Sequence, residues 1–312
     1  MGAKPLPAQT SRGRCTEMAD AHVERPKPQT RSRRVLLALV ALATGIGLAL
    51  VPTLVANAVP AAPPTLEASV GFVVGSVVEQ NWEPGIPWGA GYADGYLEVE
   101  VDDLEEGTAK GWSVQKEIAG GPPTSIVSGT TSSASLTLPI PSTDYEDDFG
   151  GGSLQITKWT VNASNDGGKA SLSVSAGMDI TQEDGTNARG VGAVGTVATK
   201  GKWRTASCDC YLAGTTQRNA KLKNWMEFTA TVVDGQRIAV VMPMFPKAGV
   251  ARFKLDGVMQ ADVDTYAPVR ENRIIVWQTP VLTAGTHTIR IVNMATTGRP
   301  RIDVDAFLIT TP

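Results

Sequence analysis

The sequence predicts an all-β protein: two consecutive β-sandwiches behind an N-terminal signal or membrane-anchor helix. Three observations predict it. Beyond residue 58, apolar and polar residues alternate in short runs, the period of strands with one buried face. Glycine (32) and proline (20) are frequent enough to punctuate many short strands, which suits turn-rich β structure better than helix bundles. An uncharged run of 21 residues, Val35 to Val55, follows a polar, basic leader.

The leader, residues 1–34, carries eight Lys/Arg against three acids, and Met18 is an alternative start that would shorten it to ordinary length. The apolar run ends near Ala56-Asn57-Ala58, which fits the small-residue cleavage rule. Ser32-Arg33-Arg34-Val35-Leu36-Leu37 resembles the twin-arginine export motif. Residues 1–58 are therefore a signal sequence, or an uncleaved anchor long enough to span a bilayer. In both cases the rest is expected outside the cytoplasm, because basic flanks stay inside. The protein is expected secreted or held at the cell surface, with membrane contact only through this segment.

Residues 59–66 form a linker stiffened by Pro60, Pro63 and Pro64. The remainder divides by charge. Val59 to Thr186 holds 4 Lys/Arg and 19 Asp/Glu, a balance of −15, whereas Asn187 to Pro312 holds 16 against 9, a balance of +7. Opposite fields can dock two domains on each other, or the basic one can face an anionic surface such as cell-wall polymer. Nucleic acid is not an expected partner, since no basic run interleaved with aromatics occurs.

In the first sandwich, 67–186, strands are predicted at Val70–Val78, Gly95–Val101, Trp112–Gln115, Ala134–Ile140, Leu154–Ala163 and Ala170–Val174. Asn165-Asp166-Gly167-Gly168 is a hairpin turn. Ile86-Pro87-Trp88 and then Trp159-Thr160-Val161-Asn162-Ala163-Ser164-Asn165-Asp166-Gly167-Gly168-Lys169 resemble the bacterial immunoglobulin-like or fibronectin type III repeats of secreted proteins. That resemblance implies an immunoglobulin-like sandwich acting as a spacer or adhesive unit. The acidic clusters Asp102-Asp103-Leu104-Glu105-Glu106 and Asp144-Tyr145-Glu146-Asp147-Asp148 are either solvated loops or calcium ligands, and neither has EF-hand spacing.

The second sandwich, 187–312, shows about eight strands, a count that suits a jelly roll. They start at Gly201-Lys202-Trp203 and run through Trp225–Thr231, Arg237–Met242, Val250–Leu255, Met259–Thr265, Asn272–Trp277, Thr286–Asn293 and Ile302–Ile309. Asp256-Gly257 is a tight hairpin in which Gly257 supplies a positive φ. Gly285 turns the chain into the next strand, and Trp277 and Phe307 fill the core. The landmarks Gly201-Lys202-Trp203, Asp234-Gly235-Gln236, Gly249 to Gly257, Val263-Asp264-Thr265-Tyr266, Gly285 to Arg290 and Asp303-Val304-Asp305-Ala306-Phe307 follow in order. In that order they resemble a C-terminal domain of secreted actinobacterial proteins, related to galactose-binding-like jelly rolls and carbohydrate-binding modules. The resemblance implies the fold and an exported accessory role.

Sugar recognition needs aromatic platforms beside a few placed polar groups. The candidates are Trp203, Tyr211, Trp225 and Tyr266, with Arg218 and Asn219 on a polar loop, each with a packing role as its alternative. Asp303 and Asp305 would hydrogen-bond a neighbouring loop or help hold calcium. Cys208 and Cys210 are either a local disulfide or two free thiols, because residues two apart in a strand sit about 6.5–7 Å apart, at the edge of reach. His287 is the sole histidine beyond the leader, and it is expected to tie a strand start to a neighbouring loop. No Gly-x-Ser-x-Gly occurs. The expected function is that of an exported, non-catalytic binding or adhesive protein that recognises carbohydrate or cell-wall polymer through the jelly roll. The alternative is a structural envelope or assembly protein acting through protein–protein contacts.

Overall fold

The computed structural model describes residues 62–80, 91–102, 111–118, 121–130, 133–140, 146–147, 157–185 and 195–310. The leader, Ile86-Pro87-Trp88 and most of both acidic clusters lie outside them. The described residues form strands joined by turns and a single-turn 3-10 segment, Leu212–Gly214, with no α-helix among them.

The first half contributes β1 (Thr65–Phe72), β2 (Glu79–Gln80), β3 (Gly91–Tyr92), β4 (Gly95–Asp102), β5 (Gly111–Ile118), β6 (Thr124–Gly129), β7 (Ser133–Ile140), β8 (Glu146–Asp147), β9 (Thr157–Asn165) and β10 (Gly168–Gln182). β1, β4 and β7 make an antiparallel sheet. In β4 the alternation is sharp: Leu97, Val99 and Val101 are buried, while Glu98 and Glu100 turn away. They meet Trp112 and Val114 of β5 and Trp159, Val161 and Ala163 of β9 in one core. β1 stops at Phe72, short of the predicted Val78, because the chain leaves β4 after Val73 and residues 75–78 bond to the second half. There Gly75 N donates to Ile275 O (2.8 Å) and Val78 N to Arg273 O (2.7 Å).

The second half contributes β11 (Gly195–Lys200), β12 (Arg204–Ser207), β13 (Thr215–Asn219), β14 (Trp225–Val232), β15 (Ile238–Met244), β16 (Val250–Leu255), β17 (Val258–Asp264), β18 (Glu271–Gln278), β19 (Gly285–Asn293), β20 (Ile302–Val304) and β21 (Ala306–Thr310). A five-stranded sheet, β11-β14-β19-β16-β17, packs Met226, Phe228, Phe253, Ile289 and Ile291 onto β15, β18 and β21. Phe228 stacks on Phe307 with ring centroids 4.5 Å apart, and Phe253 on Trp277 at 4.8 Å. The expected strand at Ile302–Ile309 is two strands. The chain breaks at Asp305, whose backbone N–H donates to Val241 O (2.9 Å) and whose carbonyl accepts from Glu183 N–H (3.2 Å).

β10 joins the halves. Its first nine residues pair with β9, and its last five, Met178 to Gln182, pair with β21. The resulting sheet runs β18-β15-β21-β10-β8-β3-β2. β15 and β21 are buried on both faces, which is why they read as continuous apolar runs. Ile238, Val240, Phe307 and Ile309 enter the second core, while Ala239, Val241, Ala306 and Leu308 enter the first.

Candidate functional site

β12, β13 and β20 form a small antiparallel sheet in which Arg204, Arg218 and Asp303 stand opposite one another. Directly opposed residues send their side chains from the same face. This sheet borders a concavity of about 340 Å³ lined by Lys202, Arg204, Arg218, Asn219, Lys221 and Arg301. Arg218 and Asn219, expected on a loop, end strand β13. Asn219 is buried and holds the wall together. Its Nδ2 donates to Lys202 O (2.9 Å), and its Oδ1 accepts from Lys221 N–H (2.7 Å) and Asn293 Nδ2 (3.2 Å).

Trp203 lies between β11 and β12 rather than starting a strand. Its indole N–H donates to Trp225 O (3.1 Å) and Lys200 O (3.3 Å), which seats the half-buried ring against the start of β14. Trp225 is also half-buried, with the Arg290 guanidinium 4.7 Å from its ring centre. Trp203 is thus tied to the backbone of Trp225 and Asn219 to that of Lys202, while Arg218 and Asn219 line the concavity and the indoles are not among its lining residues.

Tyr211 and Tyr266 stand apart from that corner. Tyr211 is 3% exposed, and its hydroxyl accepts from Arg270, whose guanidinium also lies 5.1 Å from the Phe245 ring centre. Tyr266 is 45% exposed, beneath Arg299, which is in turn bidentate to Asp264. Cys208 and Cys210 form a disulfide. A turn brings their Cα atoms to 5.0 Å, inside the distance that an extended strand would leave.

Asp303 is fully buried and bound bidentately by Arg301, which raises the affinity of that guanidinium for its proton. Asp305 is also fully buried. It accepts from Leu212 N–H (3.1 Å), the loop contact expected of it, and burial pushes its carboxyl well above the usual carboxylate range. Glu183 is 1% exposed and burial raises it to about 7. Among the described residues, no group of three or more His, Cys, Asp or Glu is placed to hold a metal ion. His287 bonds through Nδ1 to Asp256 Oδ2 (2.7 Å) and donates from Nε2 to Thr283 O (3.0 Å), tying the start of β19 to two turns. Its bond to Asp256 raises its pKa.

Sequence reasoning missed Lys202, Arg204, Lys221 and Arg301. Their signal was the +7 balance of this half, which carries no address until the strands pair.

No protein-family model and no curated protein matches the chain. Among solved structures, it is similar to the CBM36-1 domain of a multidomain xylanase from the hindgut metagenome of Trinervitermes trinervoides. That similarity has 13% identity and a TM-score of 0.30, and covers 43% of this chain and 98% of that one. It is also similar to a family 35 carbohydrate-binding module from Clostridium thermocellum (11% identity, 43% and 98%, TM-score 0.31). A third is a CBM36 module in complex with calcium and xylotriose (9% identity, 42% and 98%, TM-score 0.29).

Proposed function

We propose that this chain is an exported, non-catalytic binding protein that holds carbohydrate through the corner formed by β12, β13 and the start of β14. One observation carries this reading: a concavity lined by Lys202, Arg204, Arg218, Asn219, Lys221 and Arg301 lies beside the chain segment of the half-buried Trp203, whose indole is hydrogen-bonded to the backbone of the half-buried Trp225. Such a corner offers ring faces to sugar C–H groups and donors to hydroxyls. The non-catalytic part is supported by where the perturbed groups lie. Glu183 and Asp305 are out of reach of solvent, and both His287 nitrogens are engaged by Asp256 and the Thr283 carbonyl.

The test is retention of the full-length chain on a glycan array and on isolated cell walls. Binding to at least one polysaccharide is expected, with Trp225→Ala weakening it up to about tenfold, the scale of one lost stacking contact. Absence of retention on every polysaccharide overturns the reading. Salt-sensitive self-association in its place would favour an assembly role.

A further inference from the structure

The acids of the basic half are mostly already matched. Glu227 pairs with Arg290, Asp256 with His287, Asp262 with Arg252, Asp264 with Arg299 and Asp303 with Arg301. Lys202, Arg204, Arg218 and Lys221 have no ion-pair partner among the described residues, and all four line the same 340 Å³ concavity. No carboxylate lines it with them. Arg218 Nε is buried and makes no hydrogen bond, although it stands opposite Asp303 in the sheet. Arg301 holds Asp303 to itself.

Four like charges around one hollow repel one another, and a buried guanidinium N–H without an acceptor is unfavourable. An oxyanion entering the hollow relieves the repulsion, because guanidinium groups meet carboxylate or phosphate oxygens in parallel N–H···O pairs. We infer that the concavity between β12, β13 and the Arg301 segment is a binding site for oxyanion groups, carboxylate or phosphate, carried on a saccharide polymer. This deepens the carbohydrate reading and rests on it for the polymer. The anion chemistry rests on the four unpaired cations alone. The indoles would then hold a sugar ring beside the charged group.

Affinity electrophoresis of the full-length chain tests it, in gels containing a phosphorylated mannan, polygalacturonate, inorganic polyphosphate or neutral dextran. The double variant Arg204→Gln/Lys221→Gln is chosen because both side chains are exposed and unpaired, so folding should survive, and an unchanged melting curve verifies that. Lys247→Gln/Lys254→Gln removes the same charge elsewhere. Retardation by an anionic polysaccharide, fading with salt, is expected. It should weaken roughly tenfold in the pocket variant and less than about twofold in the control. The relative retardation by the phosphate and uronate polymers identifies which oxyanion is taken. Equal losses in both variants, or no loss in either, overturn the site. Retardation by dextran alone overturns it too but leaves the carbohydrate reading standing. Pocket-dependent retardation by polyphosphate alone supports the anion site and ends the carbohydrate reading.

Discussion

Glu183 sits at the end of β10 with neither carboxylate oxygen solvated or accepting a hydrogen bond of ordinary geometry. Burial is the main reason its pKa rises to about 7. The neighbouring Thr215 hydroxyl partly opposes the rise, and the Asp184 charge adds to it. Asp305, buried near it, is shifted the same way by burial, with Arg273 acting against the shift. An acid that holds its proton more tightly when folded stabilises the fold at low pH. That contribution is fully present below the unfolded value, near 4.5, and is lost as pH rises through about 7. The protein should therefore melt at a lower temperature at pH 8 than at pH 5. Glu183→Gln should recover on the order of 2–3 kcal/mol at pH 8 and flatten the profile. A variant whose melting temperature depends on pH as steeply as the wild type would show that Glu183 does not carry the effect.

The β16–β17 hairpin shows what an element demands of its residues. Asp256 and Gly257 have φ of 50° and 83°, the mirror-image turn that matches strand twist and requires left-handed backbone at both positions. A side chain at Gly257 would meet nothing within 4 Å, so only torsional strain opposes it. Gly257→Val should cost about 1–2 kcal/mol in urea unfolding, and Gly257→Asn much less. A valine variant as stable as wild type would contradict this turn. Features of this kind were legible in the sequence because they are local: the alternation of β4, β14 and β19, the 165–168 turn, and the doubly apolar β15. The break at Asp305 was not legible, since it is imposed by Val241 and Glu183, far away in sequence. Nor was the end of β1 at Phe72, which follows from the pairing of residues 75–78 with β18. The indoles, Arg218 and Asn219 could be picked by residue type. The four missed cations span positions 202 to 301 and become neighbours only when β12, β13 and β20 pair.

At the scale of the molecule, the charge boundary near Thr186 does not coincide with a boundary in the packing. β10 begins as the partner of β9 and ends as the partner of β21, so a single strand belongs to both halves. The first core takes Leu212, Ala239, Val241, Ile275, Ala306 and Leu308 from the basic half. Gln278 binds the backbone of Phe72 on both sides, and Arg237 pairs with Glu98 across the junction. A rigid junction would fix the basic concavity relative to the acidic half, keeping the −15 field at a set distance from any polyanion it holds. The consequence is testable by truncation. A fragment of residues 187–312 would leave β21 with an open edge and return those six side chains to water. At about 1.5–3 kcal/mol for each of the larger ones, that is a loss on the order of 5 kcal/mol or more. The chain from residue 59 should unfold in one cooperative transition by calorimetry and by tryptophan fluorescence alike. The 187–312 fragment should melt far lower or aggregate. Two separate transitions, or a fragment as stable as the longer chain, would show that the shared strand does not couple the two cores.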